Sequence, residues 1–200
     1  MLFNEANQLI EPGYMPLETG YYRLSNGHMH VAILTLMHRC KGKMIDWWFG
    51  HLVDTDTFRM WLPDSHISLE WDEYYRPGHY IGASQIVEGE FRGLDTRVRI
   101  HYHDPSEFLD TSKLADANMS AAICANVYDL EKVPQSRFIH LVRDTESGCE
   151  MRSRFWLFRA SESDAMFLMK HGLELMHRLA VFLPDLYDRE NASYKSRAAG

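Results

Sequence analysis

The sequence lacks the features that mark several large classes of protein. Its lysines and arginines are scattered rather than clustered, and its formal charge at pH 7 is −7. Nucleic acids and anionic membranes select basic patches, so neither is expected as a partner. No apolar run approaches the roughly 18 residues that a membrane-spanning helix needs, and the first residues do not resemble a signal peptide. We therefore expect a soluble, cytoplasmic protein with no membrane segment.

Cysteine is also scarce, and familiar catalytic motifs are missing. Cys40, Cys124 and Cys149 are widely spaced with no C-x-x-C pair, which argues against a disulfide framework and a structural zinc knuckle. There is no Walker loop, no Gly-x-Gly-x-x-Gly and no Gly-x-Ser-x-Gly elbow. What is abundant is 46% hydrophobic content, with eleven histidines and eleven methionines. This composition suits one domain with an adaptable apolar cavity and polar points in its wall.

The order of the predicted elements indicates an α+β fold. Residues 1–20 carry prolines and glycines without periodicity and predict an extended arm. Asn26-Gly27 lies between strand-like runs and predicts a hairpin, while apolar spacing in residues 43–62 predicts two short helices. Antiparallel strands should follow, with residues 104–117 as a lid over a pocket. A long helix is expected to begin near residue 161 and to end before Pro184.

This order describes a curved antiparallel sheet around a long C-terminal helix, with a cavity between them. The domain should span residues 21–190, and residues 191–200 should form a flexible tail.

Two pairs of polar residues have a spacing that suits a metal site. His171 and Glu174 share one face of the C-terminal helix, and Glu88 and Glu90 share one face of a strand that Gly89 interrupts. An imidazole beside a carboxylate is half of a zinc site. A lone histidine on an apolar helix face is, however, more often a core residue, and strand glutamates usually face solvent. Spacing alone leaves both interpretations open.

Other polar residues have plainer interpretations by the same criteria. His66 follows a helix end, and spacing alone favours a surface loop histidine over one that points into a cavity. His101 and His103 alternate along one strand, and Arg152 and Arg154 along another. Such alternation is typical of a solvated sheet face.

Several longer segments carry a resemblance to a known family. Residues 139–157, with their Met-Arg-Ser-Arg-Phe-Trp-Leu core, are the most specific, and residues 179–187 support them. Upstream, Trp-Trp-Phe-Gly at 47–50, Trp-Leu-Pro-Asp-Ser-His at 61–66 and residues 86–93 occur in the same order. Over residues 40–190 the chain resembles the diacetylphloroglucinol hydrolase family, which includes phloretin hydrolase. The resemblance implies a Bet v 1-like helix-grip domain that binds zinc and cleaves a carbon–carbon bond between an acyl group and a phenolic ring.

The resemblance also implies a zinc ion bound by two histidines and two glutamates. Three of these ligands correspond by motif to His66, Glu90 and His171. The family has its fourth ligand four residues after the last histidine, where this sequence has Leu175. Glu174 is expected to substitute for it, and Glu88 remains an alternative to Glu90.

Substrate and catalytic roles complete the set of candidate residues. Phe58 and Leu69 stand where the family has a pocket tyrosine and a polar residue, and we expect both to contact substrate. His101 and His103 are candidates to bind a phenol if they face inward. The catalytic candidates are Glu174, Glu90 and His140, the glutamates as proton carriers and His140 to orient the phenol.

The leading prediction is a zinc-dependent hydrolase of a small aromatic or polyketide substrate. One alternative is a helix-grip protein that binds such a ligand without turnover, which the residues at positions 58 and 175 favour. Another is a metal-free enzyme, such as a cyclase, in the same cavity. The chain is shorter than typical members of the family at the N-terminal side, where the family carries a dimerisation region, but the N-terminal arm and the habit of the family favour a homodimer.

Overall fold

An antiparallel sheet of eight strands forms the body of the protein. The computed structural model describes residues 1–198 and the side chains of residues 1–192. The strands are β1 (Gly20–Arg23), β2 (Met29–His38), β3 (His66–Trp71), β4 (Ser84–Phe91), β5 (Leu94–His103), β6 (Met119–Tyr128), β7 (Pro134–Asp144) and β8 (Gly148–Leu157). Across the sheet their order is β1-β2-β8-β7-β6-β5-β4-β3.

Three α-helices pack with this sheet: α1 (Gly42–His51), α2 (Thr55–Trp61) and α3 (Glu162–Ala198). The carboxylate of Asp54 caps α2 by accepting a hydrogen bond from the backbone N–H of Thr57 at 2.8 Å. Ser161 and Asp164 exchange hydrogen bonds at the start of α3, which forms a capping box. The predicted hairpin, helix pair and sheet around a long helix are therefore confirmed.

Helix α3 does not end before Pro184, contrary to the sequence-based expectation. Proline has no N–H, so the carbonyl oxygen of Ala180, four residues earlier, loses its helical donor. The thiol of Cys40 lies 3.7 Å from that oxygen and donates to it instead. The helix continues through residues 191–198, where a flexible tail was predicted, and residues 199 and 200 lie outside the described residues. Among the described residues, no helix combines the length and apolar character needed to cross a membrane.

The concave face of the sheet packs against all three helices. Trp48 on α1 and Trp61 on α2 meet edge to face with ring centroids 5.6 Å apart. Trp48 also contacts Phe182 on α3, and Leu179 and Leu183 of the same helix are fully buried. These contacts fill one end of the space between sheet and helix. The other end stays open as a cavity, which aromatic side chains line.

The outer face of the sheet is covered by the N-terminal arm and by residues 104–117. The arm contains a 3₁₀ helix, Phe3–Leu9, whose Leu9 side chain is completely buried. Leu109 joins Leu9 and Trp156 in the same apolar cluster. The prediction that residues 104–117 form a lid over the pocket is therefore wrong, since this segment lies on the opposite side of the sheet.

Arg152 and Arg154 are buried beneath the arm, which corrects the solvated face predicted for them. Their side chains are 3% and 1% exposed, and both guanidinium groups pair with the carboxylate of Glu18. Arg152 also donates to the carbonyl oxygen of Leu9 at 2.9 Å. A buried guanidinium group is tolerated where a carboxylate and further acceptors replace its water. Glu18 therefore ties the arm to β8.

We expect Glu18→Gln to lower the free energy of unfolding by about 3 kcal/mol, because removing one charge of a buried ion pair leaves the other uncompensated. Urea unfolding at pH 7 measures this change. The matched control is Glu11→Gln, at an exposed site on the same arm, with an expected effect within about 0.5 kcal/mol. Equal losses in the two variants would contradict the role of Glu18.

His30 is a second polar residue under the arm. It is 2% exposed, and its ring lies 5.1 Å from that of Trp156 and 5.3 Å from that of Tyr22. Burial, followed by the charges of the N-terminal ammonium group and Arg154, lowers the pKa of His30 to about 3. The folded protein therefore holds this imidazole neutral.

His30 should make the fold sensitive to acid. An unfolded histidine binds its proton near pH 6.5, whereas the folded pKa is about 3. Between these values the unfolded chain holds more protons, so each unit of acidification removes up to about 1.4 kcal/mol of stability. In urea unfolding between pH 7 and pH 4, His30→Phe should weaken the pH dependence. His38→Phe, at an exposed site on the same strand, should leave it unchanged, and identical slopes in both variants and the wild type would refute the prediction.

Candidate active site

A cavity of about 680 Å³ lies between the concave face of the sheet and α3. This volume is within the range of sites that bind small organic molecules. Its mouth is near the β4–β5 turn, the β6–β7 turn and the start of α3, where Glu90, Asp129 and Arg159 line it. Its closed end lies beneath α1, beside Phe49 and Tyr102. Most of the wall is apolar, with polar side chains at separate points.

His66 is fixed in this wall by its neighbours. Its Nδ1 lies 2.8 Å from the carbonyl oxygen of Phe58, and the two rings are stacked with centroids 3.6 Å apart. A carbonyl oxygen only accepts hydrogen bonds, so Nδ1 carries the proton and the Nε2 lone pair is left for another partner. Burial lowers the pKa of His66 to about 4, which keeps the imidazole neutral at pH 7.

The backbone brings His66 close to β4 because Gly89 has no side chain. His66 is the register partner of Gly89, and the ladder shifts between His66 and Ser68. A Cβ atom at Gly89 would lie 2.8 Å from the carbonyl oxygen of Ser65. That oxygen instead accepts a hydrogen bond from the backbone N–H of Glu90 at 2.8 Å. The irregularity predicted around Gly89 is therefore the device that brings the backbone at His66 against β4.

His171 and Glu90 line the same cavity as His66. His171 lies on α3, and burial lowers its pKa, an effect that the charge of Glu174 partly opposes. Glu90 is exposed at the cavity mouth. Glu88, the alternative to Glu90, accepts a hydrogen bond from the hydroxyl of Ser68 at 3.2 Å and is not part of the cavity wall.

Glu174 does not point into the cavity, contrary to its predicted role as ligand and proton carrier. Its side chain is 55% exposed and pairs with Arg178 at 3.2 Å. The next residue, Leu175, lines the cavity instead. Successive residues on an α-helix differ by about 100° in direction, so Glu174 is turned away from the cavity that Leu175 lines. The position at which the resemblance predicts a carboxylate is thus occupied by an apolar side chain.

His140 is part of the closed end of the cavity, 3% exposed. Its Nδ1 lies 2.7 Å from the hydroxyl oxygen of Ser153 on the neighbouring strand. Burial lowers the pKa of His140 to about 3, so the side chain is a neutral hydrogen-bonding group. The rings of Phe49 and Phe138 lie 5.8 and 4.7 Å from the imidazole.

Tyr102 and Gln85 also line the closed end, and neither was among the predicted site residues. The Gln85 amide nitrogen donates to the Tyr102 oxygen at 2.5 Å, and burial raises the pKa of Tyr102. The sequence signal that could have identified Tyr102 is the alternation of side chains between the two faces of β5. Tyr102 stands between His101 and His103 and must face the other side of the sheet.

Several predicted substrate contacts lie outside the cavity. His101 is hydrogen-bonded to Ser84 at 3.0 Å and His103 to Glu107 at 2.9 Å, both on the outer side of the sheet. Leu69 is buried in the apolar core and does not line the cavity. The expectation that these three residues contact substrate is corrected by this placement. Phe58 does line the cavity, where it supports His66.

Nitrogen and oxygen donors of the types that zinc prefers therefore share one cavity. His66 and His171 line the cavity with imidazole nitrogens, and Glu90 lies at its exposed mouth. Across the described part of the chain, no three histidine, cysteine, aspartate or glutamate side chains are grouped closely enough to bind a metal ion. The donor chemistry of these three residues fits zinc, while Glu174 is directed elsewhere.

Solved structures show what fold this arrangement has. The chain is similar to the KanY protein, with a TM-score of 0.54, 8% identity, and 78% of this chain and 98% of that one covered. It is also similar to Ara h 8.0201, with a TM-score of 0.53, 9% identity and coverage of 78% and 98%. The major latex-like protein 151 of Panax ginseng gives 0.51, with 14% identity and coverage of 76% and 95%. The predicted Bet v 1-like helix-grip fold is confirmed.

Relatives that are similar in sequence identify the family of the chain, whereas the solved structures show only its fold. Over an alignment 221 positions long, the chain is 25% identical to proteins named 2,4-diacetylphloroglucinol hydrolase from Pseudomonas sp and Pseudomonas protegens. The alignment covers 92% of this chain, and 75% and 72% of those two proteins. The family model described as DAPG hydrolase PhiG domain matches residues 1–163. The chain therefore belongs to the DAPG hydrolase family.

Proposed function

We propose that this protein hydrolyses the carbon–carbon bond between an acyl group and a phenolic ring, with zinc bound by His66, His171 and Glu90. The observation that carries the proposal is the position of His66. The Phe58 carbonyl holds its Nδ1, so Nε2 is free in a cavity that His171 and Glu90 also line. Relatives named 2,4-diacetylphloroglucinol hydrolase support the choice of substrate.

Three protein ligands are the usual number in a catalytic zinc site, because a further position must stay open for water or substrate. When bound, such an ion polarises a carbonyl group and lowers the pKa of its water. The replacement of the family's fourth ligand by Leu175 is compatible with that pattern. A carbonyl that accepts from the other ring nitrogen is the usual support for a metal-binding histidine, and Phe58 supplies it.

The reaction adds the elements of water across the bond. The water oxygen becomes bonded to the acyl carbon, the bond from that carbon to the ring breaks, and the ring carbon gains a proton. The products are a carboxylic acid and the deacylated phenol. Glu90 is the remaining candidate for carrying a proton, since it lies at the solvent-exposed mouth.

His140 and its aromatic neighbours are suited to hold the phenol. The neutral imidazole forms hydrogen bonds without adding a charge to the closed end. Phe49, Phe138 and Phe155 present ring faces and edges to a flat substrate, and they limit the access of bulk water.

A binding protein without turnover is the second candidate, and two observations favour it. Phe58 and Leu175 line the cavity where the family has polar side chains, and the described donors do not form a preassembled group of three. Such a protein would hold the same aromatic ligand in the same cavity. The homodimer and the cytoplasmic location remain predictions.

The first experiment measures acid release from mono- and diacetylphloroglucinol by proton NMR. We expect acetate and the deacylated ring in equal amounts. His66→Ala and His171→Ala should reduce the rate by about 100-fold or more, because a metal contributes several kcal/mol of transition-state stabilisation.

Glu174→Gln is the matched control on the same helix, and its rate should stay close to that of the wild type. No acid release across acylphloroglucinols of different acyl length, despite ligand binding, would favour the binding protein. An equal loss of activity in Glu174→Gln and His171→Ala would contradict the assignment of ligands.

The second experiment measures zinc content and the effect of zinc on thermal unfolding. The wild type should bind about one zinc ion, and His66→Ala should bind less. Leu175→Glu restores the family's carboxylate at the cavity wall. Without metal, this partly buried carboxylate should lower the melting temperature, and zinc should raise it more than in the wild type.

Glu174→Gln again serves as the control, with unchanged zinc content. A wild type that binds no zinc, together with a Leu175→Glu variant that zinc does not stabilise, would exclude the proposed ligand set.

A further inference from the structure

One polar atom in the cavity wall has no partner. Gln85 is 4% exposed, and its amide nitrogen donates to the Tyr102 oxygen at 2.5 Å. Its amide oxygen, Oε1, is buried and has no hydrogen-bond partner among the described residues. Other described side chains also have buried atoms without partners, but Gln85 is the only one of them that lines the cavity. The unpaired acceptor therefore belongs to a side chain of the cavity wall.

An unpaired buried acceptor is costly, by about 1–3 kcal/mol. A ligand that donates a hydrogen bond to Gln85 Oε1 removes that cost, whereas a ligand of the same shape without a donor does not. The Tyr102 oxygen already accepts from Gln85, so its own O–H remains available to donate. Acceptor and donor thus lie side by side at the closed end, which matches a hydroxyl group, since a hydroxyl both donates and accepts.

We propose that Gln85 and Tyr102 form a recognition site for a free phenolic hydroxyl group at the closed end of the cavity. The surrounding wall is aromatic: the Phe49 ring lies 6.1 Å from that of Tyr102 and 5.8 Å from that of His140. The preferred ligand is therefore an aromatic ring that carries at least one unmodified hydroxyl group. O-methylated rings of the same size are discriminated against.

The site also sets the direction of the ligand, and this part rests on the proposed function. Gln85 and Gly89 are four residues apart on β4, a distance of about 13 Å at the usual strand rise. Gly89 is the register partner of His66. A ring whose hydroxyl group binds Gln85 therefore extends toward His66 and His171, and an acyl substituent on its far side lies nearest to them.

The test compares two probes that contain no acyl group and so cannot be hydrolysed. They are 3,5-dimethoxyphenol, with one free hydroxyl group, and 1,3,5-trimethoxybenzene, with none. Dissociation constants are measured by calorimetry for the wild type, Gln85→Met and Gln135→Met. The quantity of interest is the ratio of the two constants, because general effects of hydrophobicity are similar in each protein.

We expect the wild type to prefer the phenol over 1,3,5-trimethoxybenzene. This preference, measured by the ratio of the two dissociation constants, should be about tenfold larger than in Gln85→Met. Gln135→Met is the matched control, since Gln135 lines the cavity mouth and its amide already bonds the Asp129 carboxylate at 2.9 Å. Its ratio should equal that of the wild type. An unchanged ratio in Gln85→Met, or an equal fall in Gln135→Met, would overturn the proposal.

A crystal structure of the wild type with 3,5-dimethoxyphenol gives a readout that needs no variant. The hydroxyl oxygen should lie within about 3.2 Å of Gln85 Oε1, and a hydroxyl group directed elsewhere refutes the assignment. Failure of the proposed function is distinguishable: selective binding without acid release from acylphloroglucinols preserves this site and rejects the hydrolase. Acid release from acylphloroglucinols without selective binding of the free hydroxyl group supports the hydrolase and rejects this site.

Discussion

A sheet that curves around a helix has two faces to bury, and every other feature of this protein follows from how each face is covered. On the outer face, the N-terminal arm and residues 104–117 exclude water, and Glu18 compensates two buried guanidinium groups there. On the concave face, α3 packs closely against β1 and β2 but stands away from β4 to β7. The cavity is the volume that this unequal packing leaves.

Alternation along the strands decides which residues reach the cavity. On β5, Tyr102 faces inward while His101 and His103 face outward, and the same rule separates His140 from its neighbours on β7. The site is consequently assembled from single residues on many elements. No contiguous stretch of sequence contains it, and the polar groups stay apart in an otherwise apolar wall.

The sequence predicts the fold well because its signals are local. Asn26-Gly27 predicts the hairpin, Asp54 caps α2, and the alternating segments become strands. Periodicity of two shows that residues share a face, but it does not tell which face is inside. For this reason Arg152 and Arg154, whose outward face is covered by the arm, were expected in solvent.

The site is less predictable for similar reasons. Glu174 and Leu175 differ by one position on α3, yet only Leu175 reaches the cavity. The carbonyl oxygen that Pro184 leaves without a helical donor accepts from a thiol that is distant in sequence. His66 and His171 were identified through family resemblance, since neither has a spacing that distinguishes it from a surface or core histidine. Gln85 carries no sequence signal beyond being a polar residue on an inward face.

The hydrogen bond from His66 to position 58 has a consequence for how such a site can diverge. The acceptor is a main-chain carbonyl oxygen, which every amino acid carries. Exchange of tyrosine for phenylalanine at this position therefore alters the cavity lining without releasing the imidazole. The hydrogen bond that orients the histidine does not depend on which side chain stands at position 58, so the cavity lining can change there while this bond is kept.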